Sequence, residues 1–426
     1  MSDKANGHIS REITLDADGR WWHSNLNKHP AVTVGESFAK TMIIRDCTLR
    51  EGEEMGGASL GIEHKVRLAR LADEIGIREI EVGYCGAIPE HQDMARVLKD
   101  AGVRASLTSI NRSYTRDGEW QREVDLAVAA GVDCVHFVVF SNEDLLASVP
   151  WLAKEDVPAR VVECVTYARA SGVKVGYALA GSGRTELEDI LTCARAAASA
   201  GAEVIGVTDS MGCSTPEAVA FLVREVREAV GPEHIVSFHG HNTFGLATAN
   251  ALAAARAGAG MVDTVPLGIG EGAGIAALEE VVFSLEVLYG VRTGLNVSKI
   301  ADMARLAREA FGVELIPTKP FIGNSIYRHT IDSHIASILR GKWHSWECIH
   351  PSVVGQSRSL EFANSKIRSG RSGAIGAKIS QLGYSPSDEE VEELIGRIRQ
   401  MTLGPGWLSE QEVESVIHSA FQADSN

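Results

Sequence analysis

The chain has 426 residues, 45% hydrophobic and 23% charged, the composition of a globular protein with room for one large domain and an appendage. Forty-one basic residues against 56 acidic ones give a net charge of −15, which argues against a nucleic-acid partner. An anionic small molecule stays open, because a local cluster of arginine, histidine and metal overrides the global sign. The absence of a long apolar run, a polar N-terminus without a signal-peptide core, and seven scattered cysteines with no CxxC pair predict a cytoplasmic protein with free thiols and no membrane contact.

Residues 1–40 precede any regular pattern and read as an N-terminal extension. Its cluster Trp21, Trp22 and His23 is expected to pack against something, a partner subunit among the options. From residue 42, short β-branched runs alternate with helical stretches. Strands are predicted at 42–46, 79–83, 103–108, 133–140, 173–179, 203–208, 234–239 and 261–265, with helices between them at 62–76, 119–130, 185–200, 215–229 and 243–257. Most of these strands are apolar nearly throughout, as expected when both faces are buried. Eight strand–helix units predict an α/β fold, a (β/α)8 TIM barrel over 41–290, with a mainly helical C-terminal extension over 291–426. A doubly wound open sheet is the alternative. The count of eight and the lack of a GxGxxG after the first strand speak against it. The extension carries a helix near 297–311, a His- and Trp-bearing segment at 325–350 and a last helical region at 386–421.

In such a barrel the chemistry sits at the C-terminal ends of the strands. Asp46, Arg50 and Glu51 fall after strand one, Glu81 on strand two, Arg184 after strand five, Thr208 and Ser210 after strand six, and His239 and His241 at strand seven. Alternate residues of an extended segment point the same way, so both imidazoles face one point. With Glu51 they form a donor set suited to one divalent cation, Mg, Mn, Zn or Co, with open positions for substrate. Paired surface histidines are the bland alternative. Arg50 offers a planar fork for an oxyanion. Glu81 either orients Arg50 as part of the site or is only a core carboxylate paired with it, and Asn242 either joins the site or simply turns the chain.

The run Asp46-Cys-Thr-Leu-Arg50-Glu51-Gly-Glu-Glu54 resembles the opening motif of the DRE-TIM metallolyases, the family of homocitrate and isopropylmalate synthases and related lyases. The resemblance continues through Ile80-Glu81-Val-Gly, Thr208 to Pro216, the HGHN segment and Gly268 to Ile275, and covers about residues 40–400. Glu51, Ile275 and the tail segments around Lys319–Asn324 and His329–His334 are similar to the homocitrate synthase branch. What the resemblance implies is an acyltransferase: acetyl-CoA condensing with a 2-oxo acid in a metal-dependent Claisen-type reaction. Arg50 and Glu81 would act at the reacting centre, and His334 would transfer protons. Thr208, Ser210 and Arg184 would bind substrate, and Gly268, Gly270, Gly272 and Gly274 would lie beside the CoA. It also implies a homodimer in which residues 325–350 cover the partner's barrel mouth.

The chain departs from that pattern in four places. Ala180 stands where the synthases end strand five with a glutamate, and Trp346 where the tail histidine has a tyrosine partner. The glycine-rich loop lacks an Arg-Asn pair. The loop after strand four, from Phe140 to Pro150, carries Glu143 and Asp144 and no arginine. The last departure predicts a compact acceptor rather than 2-oxoglutarate, such as oxaloacetate or a phosphono- or phosphinopyruvate, with Arg184, Arg112 or His334 near any second anion. A carbon–carbon lyase or aldolase of the same family, and a non-catalytic barrel that binds a 2-oxo acid, are the rival readings.

Overall fold

Eight parallel strands close into a barrel in chain order: β1 (Ile43–Asp46), β2 (Glu79–Gly83), β3 (Ser106–Arg112), β4 (Cys134–Phe140), β5 (Lys174–Ala180), β6 (Val204–Asp209), β7 (Ile235–Gly240) and β8 (Met261–Thr264). β8 returns to β1 with Ile43 opposite Met261 and Asp46 opposite Thr264, so the sheet has no edge. This computed structural model describes residues 19–404 and 406–421. Parallel neighbours need long crossovers, and helices supply them: α1 (Ile62–Ile75), α2 (Pro89–Asp100), α3 (Glu119–Ala129), α4 (Val157–Ala170), α5 (Leu187–Ala200), α6 (Pro216–Val230), α7 (Ala247–Arg256) and α8 (Leu278–Phe283). Local chemistry fixes where they start. At α6 the Thr215 hydroxyl accepts from the Ala218 amide and Pro216 occupies the first turn, where no amide hydrogen is needed.

The third strand lies further along than the sequence predicts. The run 103–108 is apolar enough to be a strand, but Val103 and Ala105 are only a buried lead-in. Pairing decides the position: Ser106 lies opposite Glu79 on β2 and Thr108 opposite Cys134 on β4, which carries the strand on to Arg112. Likewise α7 begins at Ala247 rather than 243, after a turn in which Asn242 Oδ1 accepts from the Ala247 amide at 3.0 Å.

The chain divides into two compact units. The barrel belongs to the first, Leu26–Glu314, which includes a helix at Ile300–Phe311 packed on α1. The Phe311 ring lies over Gly52, where a β-carbon would sit 2.7 Å from the ring and leave no room for a side chain.

The second unit combines the described part of Met1–Asn25 with Leu315–Asn426. It has helices at Asp332–Leu339, Ala374–Gln381, Asp388–Met401 and Glu410–Phe421, and a small sheet ordered Leu408–Ser409, Ser359–Phe362, Arg328–His329. Phe362, Ile375, Ile395, Ile398 and Ile417 are buried at its core. The Trp21–Trp22 cluster makes contacts within its own unit. Trp22 donates its ring N–H to the Glu347 carbonyl at 2.7 Å, and Trp21 bridges to Ile349 of the same unit. All seven cysteines are free thiols, and among the described residues no helix is long and apolar enough to cross a membrane.

Candidate active site and metal centre

His239 is the penultimate residue of β7, and His241 follows the strand, the two Nε2 atoms 3.4 Å apart. Glu51 reaches the same point from the turn after β1, where its amide donates to the Cys47 carbonyl at 2.8 Å. Its carboxylate is fully buried, with Oε2 3.7 Å from His239 Nε2 and Oε1 4.0 Å from His241 Nδ1. One donor atom from each of the three falls within 4.8 Å of the others.

The protonation chemistry of Glu51 and His241 fits a divalent cation; at His239 burial lowers the imidazole but the Asp263 hydrogen bond and the Glu51 charge raise it overall, so a cation would compete there with a proton. Burial pushes the Glu51 carboxyl up, but Arg50, His239 and His241 pull it below its usual range, so it is ionised. Burial and the neighbouring His239 hold His241 down, leaving a neutral imidazole with a lone pair to give. Cys47, His239 and Asp263 also fall within the same distance of one another. That grouping is a poor cation site: burial drives the Cys47 thiol far up, and a guanidinium already occupies Asp263.

The glycine-rich turn explains how Glu51 is aimed. The Glu271 amide donates to Glu51 Oε1 at 2.9 Å, and a β-carbon on Gly270 would lie 2.7 Å from that oxygen. Gly274 passes so close to the Gly268 carbonyl that no side chain fits, and Gly268, Gly272 and Gly274 all take positive φ. The Asn242 amide ties the turn to the end of β7 by donating to the Gly274 carbonyl at 2.8 Å.

Arg50 lies across the mouth. Glu81 Oε2 accepts from its Nε at 2.9 Å and Nη2 at 2.8 Å, while Nη1 donates to Glu51 at 2.7 Å. Both sequence readings for Glu81 pair it with Arg50, and that pair is formed. Burial raises the Glu81 carboxyl, and Arg50 and Arg45 together outweigh that and hold it well below the usual range.

Beneath lies a layer that the sequence reading missed. Asp263 on β8 accepts from His239 Nδ1 at 3.0 Å and, through both oxygens, from Arg45 on β1. His136 on β4 lies 3.3 Å from Arg45; burial and that guanidinium lower it to about 3, so it is neutral. The signal was present: Arg45 follows two isoleucines in Ile43–Asp46, and Asp263 follows Met261 and Val262 in Met261–Thr264.

These groups face a cavity of about 300 Å³ at the barrel mouth. Thr208 and Ser210 line it, the Thr208 hydroxyl donating to the Leu179 carbonyl and the Ser210 hydroxyl accepting from the Gly181 amide at 3.0 Å. Aromatic and small side chains line the rest: Tyr114 stacks on Phe140 with centroids 3.8 Å apart, and Ala178 and Ala180 also face the cavity. Two predicted substrate contacts are not brought here. Arg184 points out to solvent and pairs with Asp144, and Arg112 pairs with Glu123 of α3. Each takes the carboxylate that the fold puts nearest, leaving Arg45 and Arg50 as the cations among the described lining residues.

His334 belongs to the second unit, where its ring stacks on Trp346 at 3.6 Å. Burial, then the charge of His329, hold it below its ordinary value, so it is neutral near pH 7 and able to accept a proton. His329 is engaged by Glu347 at 2.9 Å, and Glu347 by Arg358.

Residues 41–307 match the HMGL-like family. Homocitrate synthase AksA of Methanopyrus kandleri is 32% identical over 382 residues, 90% of this chain and 93% of that one. A sequence assigned as (R)-citramalate synthase CimA from the same organism is 37% identical over 358 residues, covering 84% and 68%. Among solved structures, an HMG-CoA lyase from Bacillus subtilis superposes with a TM-score of 0.57 at 18% identity, covering 65% of this chain and 96% of that one, a likeness of fold alone.

Proposed function

The chain belongs to the HMGL-like family, and on that premise we propose that it condenses acetyl-CoA with a compact 2-oxo acid carrying a single carboxylate, using one divalent cation held by Glu51, His239 and His241. The observation that carries the choice of acceptor is the cavity wall. Arg50 is the one lining guanidinium at the mouth, since Arg45 is committed to Asp263 below. The far side is Tyr114, Phe140, Ala178 and Ala180, with no cation for a second anion. A buried charge left unpaired costs about 3–5 kcal/mol. Arg112 and Arg184 are engaged elsewhere, so oxaloacetate and phosphonopyruvate lose the support that the sequence lent them.

A bound divalent cation would supply Lewis-acid polarisation of the acceptor's keto group. The chain's own residues do the rest. Arg50, fixed along one edge by Glu81, presents its other edge toward Glu51 and would stabilise the negative charge that develops on the keto oxygen. Ser210 offers a hydroxyl to the acceptor's carboxylate, with Thr208 setting the adjoining wall. The aromatic pair excludes water from the acceptor's side chain. His334 is assigned to proton transfer, removing a methyl proton from acetyl-CoA or protonating the product oxygen; hydrolysis of the thioester then releases CoA. A homodimer in which residues 325–350 cover the partner's barrel remains part of the proposal.

Thiol release from acetyl-CoA, followed with pyruvate, 3-methyl-2-oxobutanoate, oxaloacetate, phosphonopyruvate and 2-oxoglutarate, tests the reading. The two monoanionic acids are expected to lead by tenfold or more in kcat/KM, about 1.4 kcal/mol of transition-state preference. If 2-oxoglutarate leads instead, the acceptor assignment is wrong. No thiol release with any acid, together with cleavage of a hydroxyacyl-CoA, would favour the lyase reading.

A further inference from the structure

Arg45 is only 4% exposed and sits in the middle of a barrel strand beside two isoleucines, where a guanidinium is costly unless it is fully engaged. It is engaged on three sides. Nε and Nη2 hold the two oxygens of Asp263 at 2.8 and 2.7 Å, Nη1 lies 3.3 Å from His136 Nδ1, and Nε lies 3.5 Å from Glu81. The barrel is shaped to admit this: a β-carbon on Gly176 would fall 2.2 Å from His136 Nδ1, so β5 gives up a side chain to let His136 lie against Arg45.

Each carboxylate beside Arg45 supports a different arm of the site. Asp263 accepts from His239 Nδ1, and Glu81 accepts from two nitrogens of Arg50. We propose that Arg45 is a positioning residue that sets both arms at once. Through Asp263 it keeps the His239 proton on Nδ1 and the Nε2 lone pair toward Glu51 and His241. Through Glu81 it keeps Arg50 on its bearing across the mouth.

The physical reason is geometric: Asp263 and Glu81 are both buried, at 2% and 1% exposure, and the Arg45 guanidinium between them fixes the way each carboxylate faces. Without that planar fork each carboxylate is free to turn away from the arm it supports. A carboxylate that turns away no longer accepts from His239 or from Arg50, so that arm loses its orientation. A lysine keeps the charge but cannot span both Asp263 oxygens while facing His136 and Glu81, because the planar fork is lost. Partners that orient a ligating histidine in this way matter about 10–100-fold in metal affinity when removed.

The inference rests on reading Glu51, His239 and His241 as metal ligands, and calorimetric titration of the metal-free parent protein with Mn²⁺ checks that reading first. In Arg45→Lys, with folding verified by circular dichroism, Mn²⁺ affinity is expected to fall at least tenfold. The visible spectrum of the Co²⁺ form should change, and kcat at saturating metal should drop through Arg50. A folded Arg45→Lys protein with parent-like Mn²⁺ affinity and Co²⁺ spectrum overturns this inference alone; a parent protein that binds no divalent cation overturns the metal reading and this inference with it. Should Arg45→Lys fail to fold, ¹⁵N resonances of the metal-free parent decide, with the His239 signals identified by their loss in His239→Asn. His239 protonated on Nδ1 supports the inference, and the Nε2–H tautomer overturns it.

Discussion

Replacing Gly270 by alanine isolates the aiming of Glu51 from everything else in the site. Gly270 is not among the residues with positive φ, so alanine brings no backbone strain there. Its new methyl would lie 2.7 Å from Glu51 Oε1, 3.1 Å from Cγ and 3.2 Å from the Gly274 α-carbon. Ordinary contact begins near 3.4–3.5 Å, so the carboxylate has to yield by roughly 0.7 Å. It has nowhere to go: the side chain is fully buried, the Glu271 amide holds one oxygen and Arg50 the other. Metal–oxygen distances tolerate only about 0.2 Å, so the displacement should weaken Mn²⁺ binding by about 10–100-fold, or roughly 1.4–2.7 kcal/mol. Overpacking adds about 1–3 kcal/mol of lost stability. Gly272→Ala is the control. Its φ is +61° and a β-carbon there meets nothing within 4 Å, so it should cost about 1 kcal/mol of stability through backbone strain and leave metal affinity alone. Calorimetric titration of both metal-free variants beside the parent reads the difference. Parent-like Mn²⁺ affinity in Gly270→Ala would refute the claim that the glycine-rich turn aims the metal carboxylate, as would an equal loss in Gly272→Ala.

His239→Ala is expected to lose the metal, measured by elemental analysis after dialysis, and with it activity; an active metal-free variant would remove the cation from the reaction. His334→Ala should lower kcat by about 10²–10⁴-fold without changing Mn²⁺ affinity, and near-normal turnover would point to another base. Asp46 tests the pH dependence of stability. Burial raises its carboxyl to about 6 against an unfolded value near 3.9, so the stability it contributes is fully present below about pH 4 and is lost as pH rises through 6. Asp46→Asn, which keeps an acceptor for the Thr48 amide, should therefore gain on the parent between pH 4.5 and 7.5, by up to about 2–3 kcal/mol in urea unfolding; a difference that does not vary with pH contradicts the shift. Light scattering at assay concentration is expected to give a dimer, and an active monomer would remove the proposed exchange of residues 325–350.

The elements and the chain-adjacent motifs were legible because their information is local. Apolar runs at strand spacing, helices rich in alanine and His-x-His at a strand end each act within a few residues, so the eight strand–helix units and the pairing of His239 with His241 could be read directly. Strand three slipped because its exact span is set by pairing with Glu79 and Cys134, residues on other strands. Long charged side chains were the least legible. Arg112 and Arg184 stand near strand ends, as substrate-binding arginines would, yet each is drawn to a carboxylate that the folded chain places closer, Glu123 and Asp144. Arg45 and Asp263 looked like single charges in apolar strands and are a bidentate pair across 218 residues of sequence. The sequence by itself determined which residues could bind metal, donate or accept. Which of them meet was decided by barrel closure, because a buried charge pairs with whichever opposite charge the tertiary structure brings within reach, and that distance is not written in any local stretch of the chain.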